Sequence, residues 1–416
     1  MIYDSTNYKE IEKCRTCLSK NLEIVLDLGE QPLANSLRDA EIGESRYPLV
    51  LMGCLECSLL QLSINVNPKV LFSEYFWVTG TSKVAQMYCR DLASKLVRII
   101  PDEAKSILEI GSNDGTLLRE IDKLKVFNTL IGVDPANNIN MINAKQNDKI
   151  SYYSDFFDSR FTKKFLESNQ KVDTVVARNV LSHVPDLHEV FMGISNITTE
   201  KAELVIEFHE SSIILREVHY DSIYHEHTYY HNIKSMTDLL TTHGFFPYHL
   251  EESPISGGSF VLFASKLKKG KSKNLTTKED QEKQELIHDP ANWQEFANKV
   301  RQNIKENRII LEKYSNTTSC AYGASARSST LLNALNVDKN NLKAIADKNP
   351  LKWGKLSPGL GLRIENPQIL INKEIKNIFI SAFNFESEIV SELRNVHKWS
   401  GNVHVPLPIK PRVYSV

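Results

Sequence analysis

The chain has 416 residues, 41% hydrophobic and 24% charged, with 50 Lys and Arg against 51 Asp and Glu for a net charge of −1. The length points to two or three domains, and the composition is that of a globular protein. The balanced charge gives no basic field for nucleic acid or an anionic membrane surface, and no apolar run approaches the roughly 20 residues of a membrane span.

The N-terminus has no basic stretch followed by an apolar one, so it does not read as a signal peptide. The expected compartment is the cytoplasm, where thiols stay reduced. Nothing in the residues fixes an oligomeric state, and a monomer is the simpler expectation. Four of the six cysteines form two pairs, Cys14-Arg-Thr-Cys17 and Cys54-Leu-Glu-Cys57. Two C-x-x-C knuckles make a tetrathiolate for tetrahedral zinc, with no coordination position left open, so the metal is structural. The stretch between the pairs exceeds the roughly 15–20 residues common in such sites and must loop out. Cys89 and Cys320 stand alone and read as buried small hydrophobes.

Phe72 to Thr81 holds three aromatics around Tyr75 and a Gly-Thr turn. It reads either as a lid or pocket wall or as core. Lys83 to Ile100 reads as an amphipathic helix, with Val84, Met87, Leu92, Leu96 and Ile99 near helical spacing, stopped by Pro101. Strands are predicted at 106–110, 129–133, 173–177 and 203–208, with helices between them, which makes a parallel sheet. The first strand runs into Glu109-Ile-Gly111-Ser-Asn113-Asp-Gly115 and then a helix start. Glycine lets the backbone turn sharply and a ligand approach it, and the carboxyl edge of such a sheet is where doubly wound folds bind nucleotides. The spacing is not the dinucleotide G-x-G-x-x-G; it resembles motif I of the class I S-adenosylmethionine (SAM) methyltransferases. Asp134, at the end of the second strand, can accept hydrogen bonds from ribose hydroxyls. Asp155 and Phe156 can set an acid and an aromatic against adenine. Asn179 and His183 follow the strand ending at Ala177 on the same ligand edge; His183 either caps a helix or touches the cofactor.

Asp221-Ser-Ile-Tyr224-His-Glu226-His227-Thr-Tyr-Tyr-His231 crowds histidines, acids and tyrosines together. It is a solvated or metal-binding tract, or a catalytic one. In the catalytic reading His227 is a base near neutral pH, Tyr224 donates to a developing oxyanion, and Glu226 is a second candidate base. Lys266 to Leu275 is a basic linker with a solvated charge run, followed by a long polar helical stretch from Gln281 to Glu312. Ser319 to Leu332 repeats strand, glycine turn and helix. Leu342–Asp347 and Ile378–Ala382 are further short strands, so the C-terminal part is a second Rossmann-like α/β unit. Its turn at a helix N-terminus suits an anion, and Ser325, Arg327 and Ser328 are the candidates to meet a diphosphate, with an independent dinucleotide site as the rival. The turn lacks the dinucleotide spacing, which weighs against a dehydrogenase. Prolines keep the tail from Val405 to Arg412 out of a helix.

The double C-x-x-C, the Glu109–Gly115 turn, Tyr224-His-Glu-His227 and Tyr322-Gly-Ala-Ser-Ala326, in this order, resemble the nucleotide-sugar C-methyltransferase family over essentially the whole chain. The resemblance implies a class I SAM-methyltransferase Rossmann-like domain (71–266), an N-terminal zinc-binding segment (1–70) and a C-terminal α/β Rossmann-like domain (280–416). It implies SAM and structural Zn2+ as cofactors and a nucleotide-diphospho-4-keto-sugar as substrate. Methylation would fall on a ring carbon of a 4-keto-6-deoxyhexose, usually C3. Cys14, Cys17, Cys54 and Cys57 would hold the zinc, and Lys352 matches the family's loop after the second strand of the C-terminal unit, among the residues that would meet the sugar nucleotide. Tyr224, Glu226 and His227 would line the chemistry, with His227 the favoured base and Tyr75 near the sugar. Relatives often have a histidine where Ser256 stands, so sugar specificity can differ. An O- or N-methyltransferase on a similar sugar, or a non-catalytic sugar-nucleotide-binding protein, are the alternatives.

Overall fold

The computed structural model describes residues 7–40, 43–71, 78–145, 149–255, 258–287, 289–371 and 374–416. Tyr75 and Ser256 lie outside the described residues. Among the described residues no helix is long and apolar enough to cross a membrane.

The short apolar runs become strands, as predicted: Ser106–Ile110, Thr129–Val133, Val172–Arg178 and Thr198–His209. They form a seven-stranded sheet in the order Phe246–Ser253, Ser259–Ser265, Thr198–His209, Val172–Arg178, Ser106–Ile110, Thr129–Val133, Ser151–Tyr153. All neighbours run parallel except around Ser259–Ser265, which is antiparallel to both its partners. Ser106–Ile110 pairs with Thr129–Val133 on one side and Val172–Arg178 on the other. The chain order reverses there, which opens a crevice at the carboxyl ends of the two strands.

Helix Lys83–Ile99 is where predicted, but it packs a different face. Ala85, Cys89, Leu92, Ala93 and Leu96 are buried, whereas Val84 and Met87 are exposed. Positions 85, 89, 92 and 96 keep one stripe on a 3.6-residue period. Val84 and Met87 fall off that stripe, and small Ala and Cys let the helix sit close to the sheet.

A second sheet of six strands runs Ile364–Glu365, Ile345–Ala346, Ser319–Tyr322, Asn377–Ile380, Asn402–Val405, Arg412–Ser415, parallel except for the last. The predicted strand to Asp347 shrinks to Ile345–Ala346. The single helical stretch expected from Gln281 to Glu312 is two helices, Lys273–Gln284 and Pro290–Leu311. Asp289 caps the second and Pro290 occupies its first turn, where a missing N–H costs nothing. The lysines before them are not all solvated. Lys269 pairs with Glu203 at 2.6 Å, and Lys266 Nζ donates to the carbonyls of Ser195 and Thr198 at 3.0 and 3.2 Å.

The N-terminal stretch forms a four-stranded antiparallel sheet: Tyr229–Tyr230, Leu60–Leu62, Arg46–Cys54, Leu22–Pro32. The residues between the cysteine pairs therefore do not simply loop out; they build two long paired strands. The outer strand, Tyr229–Tyr230, comes from the His-rich tract. Val25, Leu49 and Leu51 of this sheet share one apolar core with Trp293, Phe296 and the C-terminal sheet. Cys14, Cys54, Cys57 and Leu59 pack instead into the core of the seven-stranded sheet. The N-terminal segment thus wedges between the two α/β units.

Candidate active site

At the end of Ser106–Ile110 the backbone turns through Gly111 (φ 65°), Asn113 (φ 50°) and Gly115 (φ 74°) into helix Thr116–Lys123. These are left-handed conformations, which glycine adopts at no steric cost. Packing demands the glycines as well. A side chain at 111 would press on Val180, 2.8 Å away, and one at 115 would strike the Tyr152 hydroxyl. Asp134 closes the turn: its carboxylate accepts from the amides of Asn113 and Ala136, both at 3.0 Å. Burial raises the Asp134 carboxyl above its usual range, and these amides pull it back. The Asn113 side chain does not face outward; it accepts from the Thr79 amide at 2.9 Å. Glu109 is fully buried and pairs with Arg178 Nε at 3.0 Å. Burial pushes its carboxyl up to about 7 against the pull of Arg178. Glu109 Oε2 and Ser112 Oγ are buried at this turn and meet no hydrogen-bond partner among the described residues. A polar ligand fits there, because buried polar atoms of a native site find partners. Asp155 is half-buried and Phe156 is exposed on the same edge. Asn179, at φ 50°, donates its amide to the Glu207 carbonyl at 2.7 Å.

The His-rich tract is stitched to this edge. Thr228 N donates to the Ser182 carbonyl at 2.8 Å, and His183 Nδ1 lies 2.7 Å from the Glu226 carbonyl. His183 is no helix cap; Asp186 caps helix Leu187–Ile197, which frees the His183 ring to face the tract. The Tyr224 hydroxyl lies 2.7 Å from His227 Nε2. The His183 and His227 rings are 5.0 Å apart. Burial holds His183 down to about 4. It holds His227 far below its usual value too, helped by His183, His209 and Arg327. The tract is therefore a cluster of neutral imidazoles. Burial pushes the Glu226 carboxyl up to about 7, while Asn35 lowers it. Asn35 Nδ2 reaches both Glu226 oxygens, at 2.8 and 2.7 Å.

The C-terminal turn follows Ser319–Tyr322. Asp347, past the next strand, accepts from the Ala324 amide at 2.7 Å. Lys352 Nζ donates to the Ala324 carbonyl at 2.8 Å and lies 3.7 Å from Asp347. The Ser325 hydroxyl accepts from the Ser328 amide at 3.1 Å and caps its own helix. Arg327 leaves the turn: Nε pairs with buried Asp221 at 2.6 Å, and the guanidinium lies 5.3 Å from the Phe383 ring centre. So Tyr224 and His227 come together, with Arg327 from the C-terminal unit acting on His227, and the Glu226 carboxylate turns to Asn35, while Ser325, Ser328 and Lys352 bond within their turn.

Cys14, Cys17, Cys54 and Cys57 converge, with sulfurs within 4.8 Å of one another. Cys14–Cys57 and Cys17–Cys54 are 3.4 and 3.5 Å apart. Four thiolates about 2.3 Å from a tetrahedral zinc stand at nearly this spacing, so the residues fit that ion. Cys14 is pulled down to about 5, mainly by the hydrogen bond from Cys57, and Cys57 is pushed up by the same bond. Cys89 and Cys320 are buried, as expected, and Cys89 also accepts from Arg178 at 3.3 Å.

Asn35 and Arg178 went unread in the sequence. Arg178 carries a weak signal, a charge closing an apolar strand. Asn35 lies in a loop without periodicity, and its partner is 191 positions away.

Three family models match in succession: "Putative zinc binding domain" over residues 14–72, "Methyltransferase domain" over 84–250, and "C-methyltransferase C-terminal domain" over 254–408. The C-methyltransferase NovU of Streptomyces niveus is 27% identical over 98% of both chains. The plantazolicin methyltransferase BpumL, solved with S-adenosylhomocysteine, aligns at 14% identity over 44% of this chain and 84% of its own, with a TM-score of 0.34. Magnesium protoporphyrin IX methyltransferase (ChlM) from Synechocystis PCC 6803 aligns at 15% identity, 44% and 87% coverage and a TM-score of 0.34. Likenesses this faint add nothing about function. The domain matches support a SAM-dependent methyltransferase with a structural zinc site, and from end to end the chain is similar to a C-methyltransferase.

Proposed function

From the premise of a SAM-dependent C-methyltransferase, we propose that the acceptor is a ring carbon beside a ketone, C3 of a nucleotide-linked 4-keto-6-deoxyhexose. The observation that carries this reading is the Tyr224–His227 hydrogen bond of 2.7 Å inside a buried, uncharged imidazole cluster. A carbon bound to hydrogen is a poor nucleophile until a neighbouring ketone makes that proton acidic. Such a site needs a donor at the ketone oxygen and a base one bond away. Tyr224 and His227 occupy each other in this structure. With a keto sugar bound, the hydroxyl turns to the ketone oxygen and the imidazole lone pair is freed for the adjacent C–H. The imidazole takes the carbon's proton as the enolate forms. Glu226, whose carboxyl burial pushes up to about 7, is the second candidate to take that proton. General base catalysis contributes about 10²–10⁴ in rate and one oxyanion donor about 10²–10³. SAM supplies an already activated methyl group, so the transfer itself needs no metal. Glu109, Gly111, Asn113, Gly115, Asp134, Asp155, Phe156 and Asn179 form its bed.

In this reading residues 1–70 are the zinc unit, 71–266 the methyl-transfer unit and 280–416 the unit that meets the sugar nucleotide. Arg327 is its foremost contact, and Ser325, Ser328 and Lys352, bonded within their turn, hold the frame from which it reaches. The test is incubation with SAM and a panel of nucleotide-linked 4-keto-6-deoxyhexoses, read by mass and proton NMR. One added methyl with loss of the ring proton beside the ketone is expected. A methyl gained with that proton retained means O- or N-methylation. No gain, with SAM bound, overturns the sugar class.

A further inference from the structure

The stretch between the two cysteine pairs is longer than a zinc site requires, and it does more than close the sheet. After strand Leu22–Pro32 the chain runs through buried Leu33 and Ala34 to Asn35. Anchors to the C-terminal unit then follow closely. Arg38 N donates to the Leu356 carbonyl at 3.1 Å, Lys355 pairs with Asp39 at 2.9 Å, and Glu44 accepts from the Gly359 amide at 2.6 Å. Strand Arg46–Cys54 returns the chain to the second cysteine pair. The loop is thus tied at one end to zinc ligands and at its crest to the other α/β unit. Between those ties a single amide nitrogen stands 2.8 and 2.7 Å from the two oxygens of Glu226.

We propose that Asn35 is a positioning residue of the methyl-transfer site: its side-chain amide holds the Glu226 carboxylate in one orientation and in its ionised, proton-accepting form, so the insert between the cysteine pairs is part of the active site. This rests on the reading that Glu226 takes part in the proton transfer. The chemistry is direct. An amide N–H can donate to a carboxylate, and hydrogen bonds to the charged form favour it. Opposing that, burial is the larger influence on Glu226. Burial and Asn35 are the influences on the Glu226 carboxyl; His183 meets only its backbone carbonyl, at 2.7 Å, and Tyr224 pairs with His227, at 2.7 Å. His225 turns away to the Pro48 carbonyl, and Arg38 and Glu44 of the insert pair with each other. Among the described residues Asn35 is the donor to that carboxylate, through one amide nitrogen on both oxygens.

The experiment compares wild type, Asn35→Ala and Asn35→Asp. Zinc content and SAM affinity serve as controls, and kcat and KM are measured from pH 5.5 to 9. Asn35→Ala should lower kcat about tenfold with KM little changed, which is one pKa unit of differential stabilisation. The acid limb of its kcat profile should move to higher pH by about one unit. Asn35→Asp sets a second carboxylate against the first and should move the limb further. If Asn35→Ala disturbs the insert, seen as lost zinc, the isosteric Asn35→Asp carries the test alone. A limb and kcat unmoved in a zinc-replete variant would overturn the proposal. The carboxylate stretch of Glu226, isolated by infrared difference against Glu226→Gln and followed with pH, reads the same interaction without turnover. If wild type methylates no keto sugar but this titration still shifts in Asn35→Ala, the acceptor is wrong and the positioning role stands.

Discussion

The chain folds the same device twice, and the two copies differ in what they leave open. In each, a short strand enters a glycine turn, a helix follows, and an acid beyond the next strand accepts a turn amide: Asp134 from Asn113 at 3.0 Å, Asp347 from Ala324 at 2.7 Å. The first turn leaves Glu109 Oε2 and Ser112 Oγ buried and without partners among the described residues. The second fills itself. Lys352 covers the Ala324 carbonyl and lies beside Asp347, Ser325 caps its own helix, and Gly323 is pressed against Ala382. What the second copy sends out is Arg327, to Asp221 beside the His-rich tract. A strand–glycine–helix unit is therefore a frame, and the side chains within the turn decide whether a ligand enters it.

The largest effect should come from the exported pair. Arg327→Met strands a buried carboxylate and should cost about 3–5 kcal/mol in denaturant melts, with Arg327→Met/Asp221→Asn recovering much of it. Full stability in the single variant would mean the two units are held together by other contacts. Next is the contrast between the two acids. Asp134→Ala should weaken SAM binding about 100-fold in calorimetry, roughly 2.7 kcal/mol. Asp347→Ala should leave that affinity within about twofold and lower the melting temperature instead. Equal effects on SAM affinity would erase the distinction between an open and a closed turn.

A smaller effect lies in pH. Glu226 titrates near 7 in the fold against an ordinary value of 4.5. Turnover should therefore rise as pH passes through about 7, and Glu226→Gln should abolish that limb. The stability sign is opposite to that of a salt-bridged acid. The folded state holds the proton more tightly than the unfolded chain between these values, so stability falls as pH rises through that window. Glu226→Gln should flatten this slope in pH-dependent melts. The smallest effect is at the second turn: Ser325→Ala should cost about 1 kcal/mol as a lost helix cap and leave KM for the sugar nucleotide unchanged. A raised KM there would show that the turn opens to a diphosphate after all.

The strands of the large sheet were legible because each is an apolar run bounded by turn residues, and buried parallel strands need nothing subtler. The tract from Tyr224 to His227 was legible by density of chemical types alone. The face of helix Lys83–Ile99 was misjudged because apolar size was weighed above the stripe that Ala85, Cys89, Leu92 and Leu96 share. Lys352, Ser325 and Ser328 were recognised as residues of a turn, but not as residues that close it, since closure is a matter of which partner each atom finds. Asn35 was invisible for the same reason. Its environment is made by a strand pairing, Tyr229–Tyr230 with Leu60–Leu62, that no local pattern announces.

That pairing has a consequence for the order in which the molecule is completed. Tyr229–Tyr230 adds the last strand to a sheet begun near residue 22, and Arg15 reaches across 213 positions to the Thr228 carbonyl. As the chain is synthesised, the methyl-donor turn is whole once the large sheet closes. The proposed acceptor side still waits for Arg327, which trails its partner Asp221 by 106 positions. Contacts of such separation form late and slowly. In the proposed reading, a nascent chain thus acquires its cofactor bed before it acquires the pocket in which that cofactor could be spent.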